Sequence, residues 1–136
     1  MKLTCLIGEA DPFLARLLCR FGEASGMSVV RAKAGQELLD LAREIRPAVI
    51  VVEVKLPGTL RGWEAIQVLR TDGATSGIPV ISCSWQPEAG AEASAGAVVG
   101  HLRMPDLHYD DFVAALELVG VRPPASATST GNEAPD

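Results

Sequence analysis

The chain has 136 residues, of which 48% are hydrophobic and 21% are charged, and its formal net charge is −5. This composition is typical of one globular domain and excludes a chain that is disordered throughout. The acidic balance, with no block of Lys or Arg, argues against a nucleic acid or an anionic membrane as the direct partner. No apolar run reaches the length needed to span a bilayer.

Strand-like and helix-like patterns alternate along the chain. The strand-like segments are 3–8, 27–32, 48–53, 78–84 and about 97–103. One helical pattern begins after Asp11, and three others cover about 36–45, 63–71 and 109–120. Asp11 before Pro12 predicts a helix N-cap, and Gly26 and Pro47 are expected to end the first two helices. This alternation predicts an α/β fold, a flavodoxin-like (βα)5 doubly wound parallel sheet with strand order 2-1-3-4-5.

Two segments lack such a pattern. Residues 86–97 should form a helix between the last two strands, but they contain Gly90 and Gly96 and no large apolar side chain, so we expect a short, weakly packed helix. Residues 122–136 are rich in Pro, Ser, Thr and Ala, and we expect a disordered C-terminal tail. The sequence therefore predicts one domain at residues 1–121.

The three cysteines, Cys5, Cys19 and Cys83, each lie in an apolar pattern and lack the spacing of a metal site. We expect buried thiols, which suit the reducing conditions of the cytoplasm.

The most informative stretch is AVIVVEVKLPGTLRGWEAIQVLR, residues 48–70. An apolar strand ends in Glu53, a loop with Pro57 and Gly58 follows, and an amphipathic helix comes next. Open α/β sheets present reactive groups in this way, at the carboxyl end of a buried strand. Together with the fragments ADPFLARLL, GIPVIS and RMP, the stretch resembles the receiver domain of bacterial response regulators. The resemblance covers residues 1 to about 121.

The resemblance implies a pocket that accepts a phosphoryl group from a histidine kinase. The acidic pair that holds Mg²⁺ in the family falls on Glu9 and Ala10, and the acceptor aspartate falls on Glu53. The hydroxyl that binds the phosphoryl group falls on Ser84, and the lysine that pairs with it falls on Met104. Three of the five essential residues are thus altered in type. Because in-line transfer depends on close positioning, we expect phosphotransfer to be lost and Mg²⁺ binding to be weak or absent.

The family also implies a signalling face on the fourth helix, fifth strand and fifth helix. In this chain that face includes His101, Arg103 and Tyr109, and Trp85 borders it. Two interpretations stay open for Trp85, which either blocks the mouth of the pocket or turns outward toward a partner. Asp11 either replaces the missing acid or caps a helix, and its place beside Pro12 favours the cap.

The favoured hypothesis is a single-domain, atypical receiver that is not an enzyme and that binds a signalling protein without being phosphorylated. Its expected partner is a histidine kinase, another regulator or a second copy of the chain. One alternative is an unusual but active phosphoacceptor in a two-component phosphorelay. Another is a flavodoxin-like enzyme or cofactor binder, which the first loop disfavours because GEADPF lacks residues that cradle phosphate. With no output domain in the sequence, an adaptor or decoy role is expected.

Overall fold

A computed structural model describes residues 2–84, 100–103 and 107–121, and for His101 and Arg103 it describes only the backbone. Within these ranges the strands are β1 (Thr4–Gly8), β2 (Ser28–Ala32), β3 (Val49–Glu53), β4 (Val80–Ser84) and β5 (Gly100–Arg103). The helices are α1 (Pro12–Ala24), α2 (Gly35–Ile45), α3 (Gly62–Thr71) and α4 (Tyr109–Leu118). None of the helices in these ranges is long and apolar enough to cross a membrane.

The five strands form one sheet in the order β2-β1-β3-β4-β5, and every neighbouring pair is parallel. The predicted fold class and strand order are therefore confirmed. Because β1 is followed by β2 on one side and by β3 on the other, the order reverses beside the carboxyl ends of β1 and β3. Open α/β sheets bind their ligands at such a reversal.

The core consists of two apolar clusters, one on each face of the sheet. Successive residues of β1 alternate between them, with Cys5 and Ile7 in one cluster and Leu6 in the other. The first cluster includes Phe112 and Leu116 of α4 and is also covered by α1, whereas α2 and α3 cover the second. Both faces of the sheet are therefore buried, as expected for a parallel sheet with runs of Val and Ile.

The helix ends follow the predicted signals. The Oδ1 atom of Asp11 accepts hydrogen bonds from the backbone N–H groups of Phe13 (2.8 Å) and Leu14 (3.2 Å), so Asp11 caps α1. Gly26 has a φ of 87°, which an L-residue rarely adopts, and it turns the chain from α1 into β2. The helix α2 ends at Ile45, and its C-cap residue, Arg46, directly precedes Pro47. The prediction that Asp11 acts as a cap is confirmed.

The expectation of buried thiols holds for two of the three cysteines. Cys5 and Cys83 have no exposed surface, but Cys19 is only half-buried. Cys19 lies on α1 beside a surface cavity, so one side of its thiol faces solvent rather than the core. For Cys19 the prediction was wrong. An apolar pattern shows that a helix packs on the sheet, but it does not show which side of the helix stays exposed beside a neighbouring strand.

The predicted helix at 86–97 and the predicted tail at 122–136 lie outside the described residues, and both stay predictions. The described part of the fifth predicted strand is Gly100–Arg103.

Gly62 allows α3 to begin close to the end of β3. A Cβ atom at this position would overlap the backbone carbonyl of Glu53, which is not a flexible side-chain tip and cannot yield easily. We expect Gly62→Ala to lower the free energy of unfolding by about 1–3 kcal/mol, the usual cost of overpacking. Urea unfolding of both proteins measures the difference.

The matched control is Gly73→Ala, because nothing lies within 4 Å of a Cβ atom there. It should change the stability by less than about 0.5 kcal/mol. Equal effects of the two substitutions would show that the close approach of Gly62 to Glu53 does not determine the result.

Candidate functional site

Three of the predicted pocket residues lie at the carboxyl edge of the sheet. Glu9 directly follows β1, Glu53 is the last residue of β3 and Ser84 is the last residue of β4. The register pairs Gly8 with Val52 and Glu53 with Cys83, so these three strands end close to the same level. All three side chains are buried, which makes this edge a pocket of polar groups on top of an apolar core.

The side chain of Glu53 is hydrogen-bonded to the loop that follows β3. Only 7% of the residue is exposed, and its Oε1 atom accepts a hydrogen bond of 2.8 Å from the backbone N–H of Lys55. The Oε2 atom is buried and has no hydrogen-bond partner among the described residues. Burial raises the pKa of Glu53 above its usual value, although the N–H group and the charge of Lys55 act in the opposite direction.

Glu9 has a similar environment on the neighbouring strand. It is 4% exposed, and its Oε2 atom accepts a hydrogen bond of 3.1 Å from the backbone N–H of Asp11. Its Oε1 atom is buried and finds no partner in the described ranges. The pKa of Glu9 is raised to about 7. Burial is the main cause, the Asp11 N–H opposes it, and the negative charges of Glu53 and Asp11 add to the increase. The protonated form of Glu9 is thus well populated near neutral pH.

Ala10 supplies no carboxylate to this pocket, but its backbone carbonyl oxygen accepts a hydrogen bond. The guanidinium group of Arg31 donates from Nε to the carbonyl oxygen of Glu9 and from Nη2 to that of Ala10, both at 3.0 Å. Arg31 therefore fixes the loop between β1 and α1 from the edge strand β2. Sequence analysis missed this residue, and the signal available was a single charged side chain within the apolar stretch SVVRA.

Tyr109 combines solvent exposure with contacts to α1. The residue is 36% exposed, its ring centroid lies 5.6 Å from that of Phe21, and its hydroxyl oxygen lies 3.2 Å from the Oγ atom of Ser25. Tyr109 therefore helps to join α4 to α1, whatever else it contacts.

The other predicted site residues are described in part or not at all. In the sheet, His101 pairs with Ser82 and Arg103 pairs with Ser84, both along the β5 backbone. Trp85 and Met104 lie outside the described residues. Their proposed roles stay predictions.

No family model matches the chain. Curated relatives do match, including the polar-differentiation response regulator DivK of Brucella anthropi, at 37% identity over 82 residues, and that of Brucella ovis, at 35% over the same length. Each match covers 60% of this chain and 66% of the relative, slightly less than two thirds of its length.

Solved structures agree with these relatives over a larger part of the chain. The chemotaxis protein CheY4 of Vibrio cholerae matches with a TM-score of 0.77 and 21% identity, over 88% of this chain and 99% of that one. A response regulator from Chloroflexus aurantiacus matches with a TM-score of 0.79 and 21% identity, over 88% and 98% of the two chains. The chain therefore has the CheY-like receiver fold.

The residues of this chain do not fit the Mg²⁺ site that the receiver resemblance implies. Hard cations need several oxygen ligands, and here the acidic pair is reduced to Glu9, because Ala10 has no side-chain donor. No group of three or more His, Cys, Asp or Glu side chains able to hold a metal is found among the residues that the structure describes. Glu9 and Glu53 remain as two carboxyl groups whose burial favours their protonated forms.

The raised pKa of Glu9 predicts an unusual dependence of stability on pH. The unfolded chain releases the Glu9 proton near pH 4.5, whereas the folded chain retains it up to about pH 7. Between these values the folded state binds more protons, so the free energy of unfolding falls as the pH rises through this window and stays lowered above it. We expect Glu9→Gln to be more stable than wild type above neutral pH, and to show a smaller fall across the window.

Thermal unfolding in a pH series measures this effect, with Glu44→Gln as the control. Glu44 is an exposed residue of α2, and its substitution should leave the wild-type profile unchanged. The side-chain amide introduced by Glu9→Gln can still accept the hydrogen bond from Asp11, so that contact need not be lost. A fall in stability as steep as that of wild type would contradict the assignment of this pH dependence to Glu9.

Proposed function

We propose that this receiver domain acts in bacterial signal transduction by binding a protein partner and that it does so without accepting a phosphoryl group. The observation that carries the proposal is the acidic pocket itself. Glu9 and Glu53 are two buried carboxyl groups, each with an unpaired oxygen among the described residues, and the position that should complete the metal site is Ala10.

The electrostatics of the pocket oppose phosphoryl transfer. The transferred group carries negative charge that a receiver normally neutralises with a metal ion and a lysine. Here the lysine position is Met104, and the two nearest acidic groups would repel the incoming charge in a poorly solvated site. Burial also raises the pKa of Glu53, and the protonated fraction of the carboxyl group neither repels the phosphoryl group nor acts as a nucleophile.

One observation favours the alternative, an unusual phosphoacceptor. The Oε2 atom of Glu53 has no hydrogen-bond partner among the described residues, so it is the oxygen that could attack a phosphoryl donor. Glutamate nevertheless places that oxygen one methylene further from the backbone than aspartate does. Such a displacement is costly for an in-line reaction.

The first test is incubation with acetyl phosphate and Mg²⁺ followed by intact-mass spectrometry. Wild type should gain no phosphoryl group, because neither the metal ligand nor the lysine is present. The triple variant Ala10→Asp, Glu53→Asp and Met104→Lys supplies all three missing groups and should gain one. A stoichiometric adduct on wild type that disappears in Glu53→Gln would establish the alternative function instead.

We propose that the partner binds the face formed by Trp85, His101, Arg103 and Tyr109. The strand β5 is at the edge of the sheet, so this face is not covered by a further strand of the described chain. Tyr109 is partly exposed at the start of α4, and Tyr and Trp are frequent anchors of protein interfaces. Without a phosphorylation switch, partner concentration alone should determine occupancy.

The second test is alanine substitution at Trp85 and His101, with a partner captured from the native host and affinity measured by calorimetry. At least one substitution should weaken binding by more than about 1 kcal/mol while the melting temperature stays unchanged. Tyr109→Ala should weaken binding too, but it also removes the packing on Phe21 and should lower the melting temperature.

Arg16→Ala and Arg20→Ala on the exposed face of α1 are the controls for this surface and should bind the partner normally. Loss of binding in these two variants, with normal binding by the variants of Trp85 and His101, would place the partner on α1.

A further inference from the structure

A second candidate site lies between α1 and the edge strand β2. A surface cavity of about 380 Å³ is bounded by α1 and the edge strand β2. Three arginines line it, Arg16 and Arg20 from α1 and Arg31 from β2, together with one acid, Glu23, and the half-buried thiol of Cys19. The proposed function uses none of these side chains except as controls.

The charge of this cavity is opposite to that of the protein. Its lining has an excess of two positive charges, whereas the chain as a whole carries −5. Arg16 and Arg20 make no hydrogen bond or ion pair within the described residues, in contrast to Arg43, which pairs with Asp72. Arg31 uses Nε and Nη2 on the carbonyls of Glu9 and Ala10. Its Nη1 group is left for another acceptor.

The positions of the three arginines match a compact anion with several oxygens. Arg16 and Arg20 are four residues apart, so their side chains are neighbours on one face of α1. Arg31 approaches from the other wall of the cavity, which allows contact from two sides. The planar guanidinium group binds phosphate oxygens with two parallel hydrogen bonds, which a lysine cannot do. The volume is within the range of small-molecule pockets and is too small for a folded domain.

We propose that the cavity between α1 and β2 binds a small phosphorylated molecule with a diphosphate group, held by Arg16, Arg20 and Arg31. The diphosphate group lies between the two walls, and the negative charge of Glu23 in the lining restricts how much further negative charge the ligand can carry. This inference does not depend on the proposed function, because the cavity and the carboxyl pocket are lined by different side chains.

Cys19 provides a reporter at the site. Cys5 and Cys83 have no exposed surface, so an alkylating reagent should modify the folded protein only at Cys19. Burial raises the pKa of the Cys19 thiol, and the charge of Glu23 raises it further, so the reaction will be slow and is best followed at mildly alkaline pH. A ligand in the cavity covers the thiol and slows the reaction.

The test is titration of the full chain with sodium pyrophosphate, followed by calorimetry and by the rate of Cys19 alkylation with iodoacetamide. The rate should fall saturably with pyrophosphate and should not fall with sodium chloride at the same ionic strength. The double variant Arg16→Gln and Arg20→Gln should bind pyrophosphate at least about tenfold more weakly, because it lacks two charged donors. Each rate is compared with that of the same variant without ligand, since the arginines also affect the thiol.

The control is Arg70→Gln, an exposed arginine on α3 at the opposite face of the sheet, which should bind like wild type. A ligand-free melting curve for each variant shows whether it is folded. No saturable binding by wild type, equal protection by chloride, or undiminished binding by the double variant would each overturn the inference. Equal losses in the double variant and in Arg70→Gln would also overturn it, since they would indicate general attraction to positive charge.

Discussion

The register of the parallel sheet places two acidic side chains in one buried pocket, and the rest of the site depends on this constraint. Because β1 and β3 are neighbours and end at nearly the same level, Glu9 and Glu53 meet at the edge where the strand order reverses. Neither is more than 7% exposed. Burial favours protonation of these carboxyl groups, and the charge of Glu53 adds to this effect at Glu9. The folded chain accommodates the pair by holding a proton on Glu9, whose pKa is about 7.

Backbone N–H groups, helped at Glu53 by the charge of Lys55, stabilise the ionised forms of this pair. The N–H of Asp11 donates to Glu9 and that of Lys55 donates to Glu53, so each carboxyl group is satisfied at one oxygen. A buried polar atom without a partner costs about 1–3 kcal/mol. The two apolar clusters must offset that cost, and Gly62 contributes by letting α3 approach the carbonyl of Glu53 closely. The pocket therefore lowers the free energy of unfolding of an otherwise well-packed fold.

Sequence patterns were sufficient for the fold and for the place of the carboxyl groups, but not for the contacts around them. The fold could be predicted because its signals are local in the sequence: strands rich in Val and Ile, the Asp11-Pro12 cap and the Gly26 turn. The bonds from Arg31 to the Glu9 and Ala10 carbonyls join residues more than twenty positions apart. They depend on the rotamer of a long side chain on an edge strand. The exposure of Cys19 was missed for a related reason, since it depends on how β2 and α1 leave a gap between them.

Arg31 separates two environments of opposite charge, and this arrangement limits how independent they can be. Its Nε and Nη2 groups donate to the carbonyl oxygens of Glu9 and Ala10, and the same side chain lines the cationic cavity, where its Nη1 group remains for an anion. An anion that draws the guanidinium group further into the cavity would weaken its bonds to the two carbonyl oxygens. Weaker bonds to those carbonyls would loosen the loop whose Asp11 N–H stabilises ionised Glu9. Since coupling between sites is reciprocal, the protonation of Glu9 would change the affinity of the cavity by the same factor.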